Sequence, residues 1–174
     1  MGEALRIAVV GAGVIGLAIA RELAISGADV TVFDKSGVGA GTSSTTFAWI
    51  NSNGKRPDSY HQLNLAGMAE HRRLQAVSGA EWFVPSGTYE WATSSAREKA
   101  LSVRADLLRA HGYRVHALPH PAVARELPQL REVPDFPWWA FPDWRYVYPK
   151  ALLSFLLTDA QAHAAPLSAP VAFL

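Results

Sequence analysis

The 174 residues contain no cysteine. That excludes disulfides, thiolate metal sites and a cysteine nucleophile, and it fits a reducing cytoplasm, the expected location. Neither sign of charge is in excess: 16 Lys and Arg stand against 15 Asp and Glu. A nucleic-acid partner would favour a concentrated basic face, so none is expected. Long apolar runs are also lacking. The longest, Ile7 to Ala20, is too short to span a membrane as a helix, and Gly11, Gly13 and Gly16 interrupt it. Arg6 followed by that run has the look of a secretory signal, but the glycines have a better use. A myristoylation signal would place Ser or Thr sixth, where this chain has Arg6. The histidines (His61, His71, His111, His116, His120 and His163) are scattered, with no metal-ligand spacing and no Ser-His-Asp constellation. What is present is apolar bulk, 49% of the chain, enough to build a core in one ordinary domain or two small ones.

Leu5 to Val10 is short, apolar and β-branched near its end, as a buried parallel strand should be. Gly11-Ala-Gly13-Val-Ile-Gly16 follows at once. Helix formers run from Leu17 to Ser26, Gly27 supplies a stop, and Asp29 to Phe33 reads as a second strand with Asp34 at its end. Each residue has a use in a dinucleotide site. Gly11 permits a tight strand-to-helix turn, Gly13 lets a pyrophosphate approach the backbone, and Gly16 lets the helix pack closely on the strand. The helix N-terminus offers unpaired N–H groups and partial positive charge to phosphates. Asp34 can accept from both ribose hydroxyls and would repel a 2′-phosphate. A lone glycine triplet is weak evidence, and a Gly-rich turn in an unrelated α/β protein is the bland alternative. Here a strand precedes the triplet, a helix follows it, and a carboxylate lies 18 residues past Gly16.

The fingerprint does not separate NAD from FAD. An NAD-binding fold usually leads promptly from the second strand into another helix and strand. Here Lys35 to Asn53 is a loop rich in Gly, Ser and Thr with almost no charge. Such a loop can lay N–H groups and hydroxyls along an extended cofactor. A flexible surface loop is the alternative, in which Phe47, Trp49 and Ile50 would be poorly placed.

Val9-Val-Gly-Ala-Gly-Val-Ile-Gly-Leu-Ala, then Val32-Phe-Asp34, then Gly39-Ala-Gly-Thr-Ser-Ser-Thr resembles the D-amino-acid oxidase superfamily of flavoproteins, which includes glycine and sarcosine oxidases and D-amino-acid dehydrogenases. The resemblance implies an α/β fold: a Rossmann-like FAD-binding βαβ domain with the start of a β-rich, α+β substrate domain. It implies that Gly11, Gly13, Val14, Ile15 and Gly16 line the FAD pyrophosphate. Asp34 would hold the adenosine ribose, with Lys35 near the adenine end. Gly41, Thr42 and Ser43 would follow the cofactor towards its flavin, and Thr45, Thr46, Phe47 and Ala48 would lie close to the isoalloxazine ring. Some members bond the flavin covalently through a residue of this loop. This loop has no His or Cys, so non-covalent FAD is expected.

Asp58 to Val77 carries a rough apolar stripe and reads as a helix. Trp82 to Thr93 reads as extended structure around a Pro-Ser-Gly turn. Ser95 with Glu98 has a capping-box pattern, opening a helix to about His111, where Gly112 ends it. Tyr113 to Leu118 alternates as a short strand, and Ala122 to Leu127 reads as a brief helix. Pro134 to Pro149 holds seven aromatic residues among its prolines. These either line a substrate pocket or fill the core of a sheet. Pro149 suits the first turn of a helix to about Ala164. The expected organisation is a first FAD-domain segment over 1–80, a partial substrate domain over 81–147, and a helix returning to the FAD domain over 148–174.

Family chains are about twice this length, by the usual size of a two-domain enzyme. The chain therefore reads as an N-terminal part: a truncation, one piece of a split protein, or a fragment. The carboxylate-binding residue of the substrate site would lie in the missing half, and no catalytic residue can be carried over. Unpaired sheet edges and exposed apolar faces would then call for a partner chain, self-association or a rearranged fold. The resemblance implies FAD-dependent oxidation of an amine or amino acid, with hydride passing to FAD and the imine hydrolysed. The alternatives are a non-catalytic FAD-binding fragment that needs a partner, and an NAD-dependent dehydrogenase.

Overall fold

The computed structural model describes residues 4–163 and 172–173. The chain opens with β1 (Arg6–Val10), α1 (Val14–Ile25) and β2 (Asp29–Asp34), then passes a 3-10 turn at Thr42–Ser44 to β3 (Trp49–Ile50). Next come α2 (Asp58–Ser78), β4 (Phe83–Pro85), β5 (Tyr89–Trp91) and α3 (Ser95–Ala110). The remainder is β6 (His116–Leu118), α4 (His120–Glu126), β7 (Trp138–Ala140), β8 (Arg145–Val147), α5 (Pro149–His163) and β9 (Ala172–Phe173). Two compact units result. The first is residues 1–48, 75–82 and 147–174; the second is residues 49–74 and 83–146.

In the first unit, β1 and β2 pair in parallel, Arg6 opposite Asp29 through Val10 opposite Phe33, and β2 pairs in parallel with β9. Parallel pairing needs a crossover, which α1 supplies. The α1 helix buries Leu17, Ala20, Arg21 and Ala24 on one side. It packs against α5, whose Leu152, Leu153, Leu156 and Ala160 are buried. Each fully buried Leu contributes about 1.5–3 kcal/mol. The helix begins at Val14, three residues earlier than the sequence implies, because Gly16 belongs to its first turn. It ends where expected. Gly27 is left-handed (φ +87°), its N–H bonds to the Ala24 carbonyl at 2.9 Å, and the Ala28 N–H bonds to Leu23 at 3.1 Å. Those two bonds cap carbonyls the helix leaves open. Arg21 is 3% exposed, yet it is satisfied: it donates to Asp159 Oδ2 on α5 at 2.7 Å and to Glu22, and lies over the Phe155 ring.

In the second unit, β7 is the centre of an antiparallel sheet ordered β5-β7-β6, and β3-β8-β4 forms another. Met68 of α2, Leu101, Ala105 and Leu108 of α3, Tyr113, Val115, Trp139 and Phe141 form its core, with Ile50, Leu65 and Trp144 packed against it. Trp138 is also buried and stacks on Trp91 at 4.5 Å. The aromatic run before Pro149 therefore supplies core through Trp138, Trp139 and Phe141. Pro149 is the first residue of α5, where its missing N–H costs nothing.

The extended stretch around Pro85-Ser-Gly87 forms β4 and β5, which enter different sheets. Two local expectations are corrected. The α3 cap is Ser94, whose hydroxyl accepts from the Arg97 N–H at 3.4 Å; Ser95 lies inside the helix, and Glu98 serves only as a first-turn acid. Finally, only His116–Leu118 pairs as a strand. Tyr113 and Val115 alternate inward ahead of it because they fill the core.

Candidate functional site

The first unit presents a turn, a helix N-terminus and a strand end that meet at one place. Gly11 leaves β1 at φ +106°, a conformation that a side chain disfavours, and its N–H bonds to the Phe33 carbonyl at 2.7 Å. Gly13 is the N-cap of α1 and has no side-chain cap. A Cβ there would meet Ser43 Oγ at 3.1 Å. A Cβ on Gly16 would stand 1.8 Å from the Gly11 carbonyl oxygen, so the turn of the helix rests directly on the loop. The first-turn N–H groups of α1 have no partner inside the helix. That of Val14 is taken by Ser43 Oγ at 3.1 Å. Those of Ile15 and Gly16 lie in a turn whose Val14 and Ile15 are exposed, where an anion can reach them.

Asp34 ends β2 beside this turn. Its Oδ2 accepts from the Ala12 N–H at 2.8 Å, and its Oδ1 from Ser36 and Gly37 at 2.8 and 2.9 Å. These backbone donors, Ala12 first, hold the carboxyl below its ordinary 3.8 against an opposing effect of burial, with Lys35 adding to the lowering. The charge is therefore fixed, and a lone pair on Oδ2 remains for a further donor.

The Gly-rich loop is ordered against this centre. Gly39 donates to the Ala12 carbonyl at 2.9 Å, and Gly37 and Gly39 are both left-handed (φ +105° and +69°). A Cβ on Gly39 would lie 2.5 Å from Leu153. After Gly41 the chain makes its 3-10 turn, with Ser44 donating to Gly41 and Thr45 to Thr42. Gly41, Thr42, Thr45 and Thr46 are all exposed or partly so, as is Lys35. Thr46 Oγ1 accepts from the Ala48 N–H at 2.9 Å. Ala48 is the one non-glycine at positive φ (+54°) among the described residues, and Phe47 before it is 90% exposed. Strain of this kind costs about 1–3 kcal/mol and clusters at functional sites.

The structure thus brings together Gly11, Gly13, Val14, Ile15, Gly16, Asp34 and Ser43. Thr45 Oγ1 donates instead to the Thr42 carbonyl, and the Ala48 carbonyl accepts from the Val147 N–H. Sequence reading missed Ala12 and Gly37, which position the carboxylate, and Gly39, which ties the loop to the turn. The small-residue run of the loop was the available signal for the two glycines. Ala12 carried none, because its role is played by its backbone.

Among the described residues no three His, Cys, Asp or Glu side chains stand together as metal ligands, and no helix is long and apolar enough to cross a membrane.

Fold and turn define the class, an α/β protein built on a parallel βαβ unit with a glycine-lined helix start. The sequence model of the DAO family, described as FAD dependent oxidoreductase, matches residues 6–168, and the chain belongs to that family. No curated protein matches the sequence. Solved structures do. Glycine oxidase from Geobacillus kaustophilus superposes with a TM-score of 0.80 at 24% identity, over 98% of this chain and 47% of that one. L-amino acid deaminase from Proteus vulgaris gives 0.82 at 16%, over 99% and 40%. L-proline dehydrogenase from P. horikoshii gives 0.81 at 18%, over 99% and 45%. The chain spans less than half the length of these structures.

Proposed function

We propose that the first unit holds the adenosine diphosphate part of non-covalent FAD, within an oxidoreductase that oxidises an amine or amino acid. The observation that carries this is the meeting of Gly13, Gly16, Ser43 and Asp34 around an open helix start. The residues fit the group. Gly11, Gly13 and Gly16 leave the backbone bare, and the N–H groups of Ile15 and Gly16 meet a pyrophosphate. Asp34, fixed as an anion, accepts from a ribose hydroxyl at its open Oδ2 lone pair and disfavours a 2′-phosphate, with Lys35 toward the adenine. Gly41, Thr42 and Ser43 line the path onward, and Thr45, Thr46, Phe47 and Ala48 offer small groups and one exposed ring to the flavin. FAD held there would supply the two-electron acceptor for oxidation of an amine-bearing carbon, with water hydrolysing the imine product. The chain's own contribution is to bind and orient. The first unit then corresponds to the FAD domain and the second to the beginning of a substrate domain.

The test is the visible spectrum of the purified protein before and after adding FAD and desalting. A retained flavin spectrum, with FAD released on denaturation, supports the reading. Flavin that stays on the denatured chain refutes the non-covalent part, and no retention alongside tight NAD binding refutes FAD.

A second reading is an FAD-binding part that acts only with further polypeptide or with another copy. It is favoured by β1, an edge strand among the described residues, whose Val10 is 85% exposed. Amine oxidation that appears only on mixing with a partner chain would select it.

A further inference from the structure

We propose that Arg72, Arg145 and the Tyr113 hydroxyl form a site on the second unit for the carboxylate of a small organic acid. Three placements set the groups around one core cluster. Arg145 stands directly opposite Ile50 in the antiparallel pair of β3 and β8, so the two side chains share one face of that ribbon. Ile50 packs against the core cluster that contains Tyr113 and Met68. Arg72 lies one turn beyond Met68 on the same side of α2.

The groups are short of partners. Tyr113 is 3% exposed, and its hydroxyl makes no hydrogen bond of normal geometry. Such an orphan is costly to bury unless something else satisfies it. Trp144 packs against the same cluster, and its buried Nε1 is also unpartnered. Arg145 gives Nη1 to the carbonyls of Pro142 and Trp144, at 2.6 and 2.8 Å, which fixes the guanidinium in place. Among the described residues neither Arg72 nor Arg145 lies within ion-pair distance of a carboxylate. The nearby acid, Asp143, is committed: Oδ1 to the Arg114 guanidinium, Oδ2 to the Arg114 N–H.

The electrostatics agree. Burial first, and then the Arg72 charge, hold the Arg145 guanidinium below its usual range. Burial pushes Tyr113 up to about 12 and the Asp143 charge adds to the rise, while the Ser52 N–H and the charges of Arg145 and Arg72 pull it the other way. Two like charges beside an unsatisfied hydroxyl are relieved by an anion. A guanidinium matches the planar carboxylate, and the neighbouring Ile50 and Trp144 favour an organic body over a phosphate.

The proposal stands apart from the flavin reading, so the test uses the protein with no flavin added. Acetate and inorganic phosphate are titrated separately by calorimetry at constant ionic strength. The proteins are wild type, Arg145→Gln, Arg72→Gln and, as a control, the exposed Arg131→Gln. Saturable acetate binding is expected, weakened about tenfold or more by either of the first two substitutions and unchanged by the third. Thermal melts check folding. Arg72 is exposed, so its variant carries the test even if Arg145→Gln unfolds. No saturable acetate binding, or binding that Arg72→Gln leaves intact, overturns the site. Phosphate binding without acetate binding overturns the carboxylate assignment.

Discussion

Replacing Gly16 by alanine tests the βαβ turn where the geometry is most demanding. The added Cβ would lie 1.8 Å from the Gly11 carbonyl oxygen and 3.0 Å from its carbon, whereas ordinary contact begins near 3.4 Å. No side-chain rotation relieves this, because the obstacle is backbone. Nor can Gly11 easily yield, since its N–H is bonded to Phe33 at 2.7 Å. The first turn of α1 must therefore shift or unwind. Overpacking costs about 1–3 kcal/mol, and a backbone obstacle places this case at the upper end. For a chain of this size, about 3 kcal/mol lowers Tm by about 6–12 °C. Displacing the helix start should also weaken FAD binding about tenfold or more, through the N–H groups of Ile15 and Gly16. The contrast is Gly67→Ala. Gly67 is exposed in the interior of α2, and a Cβ there meets nothing within 4 Å. That substitution should stabilise the protein by about 0.5–1 kcal/mol. Thermal unfolding and flavin-fluorescence titration of both variants decide the matter. A Gly16→Ala protein that melts within about 1 °C of wild type and keeps its FAD affinity would refute the reasoning.

Asp34, Arg21 and Tyr113 each offer a separate check. Asp34→Asn should lower both Tm and FAD affinity, because the amide cannot accept from all three N–H groups as the carboxylate does. Asp34 has a depressed pKa in the folded state, so its stabilisation is present above its ordinary 3.8 and lost as pH falls from there through the folded value. In melts from pH 6 to about 3, wild type should therefore show a steeper acid decline than the Asp34→Asn variant, and parallel declines would contradict this. Arg21→Ala leaves Asp159 without its partner at 2.7 Å and should destabilise by about 3 kcal/mol, by urea unfolding. Much of that should vanish in an Asp159→Ala background, and full additivity would disprove the coupling. Tyr113→Phe removes a hydroxyl without a bond of normal geometry and should leave stability at neutral pH unchanged or raised by up to about 1 kcal/mol. Because burial raises Tyr113 to about 12, wild type should lose stability as pH climbs from about 10 toward 12. The Phe variant should lose less, and equal alkaline losses would tell against the buried hydroxyl.

The βαβ unit was legible because its signals are local. A short apolar strand, three glycines at fixed spacing, helix formers, a stop glycine and a terminal carboxylate each act within one turn or strand, so their order in the chain is their order in space. The loop from Lys35 was legible as small and uncharged, but not as tied to the turn. Gly39 donates to the Ala12 carbonyl and Ser43 Oγ accepts from the Val14 N–H, across more than twenty residues, and the backbone halves of those bonds leave no mark on residue type. The Ser94 cap was misplaced by one residue because two serines stand side by side, and only the helix axis chooses between them.

Family membership, the glycine turn and the stop at Gly27 were thus legible in the sequence alone, since each depends on neighbours in the chain. Only the tertiary structure decided that β4 and β5 part into different sheets and that Trp138, Trp139 and Phe141 serve the core. It alone set Tyr113 in the core cluster and Arg145 opposite Ile50, which packs on that cluster. Those outcomes depend on which surfaces meet after the chain closes, and burial and pairing between distant segments outweigh any local preference.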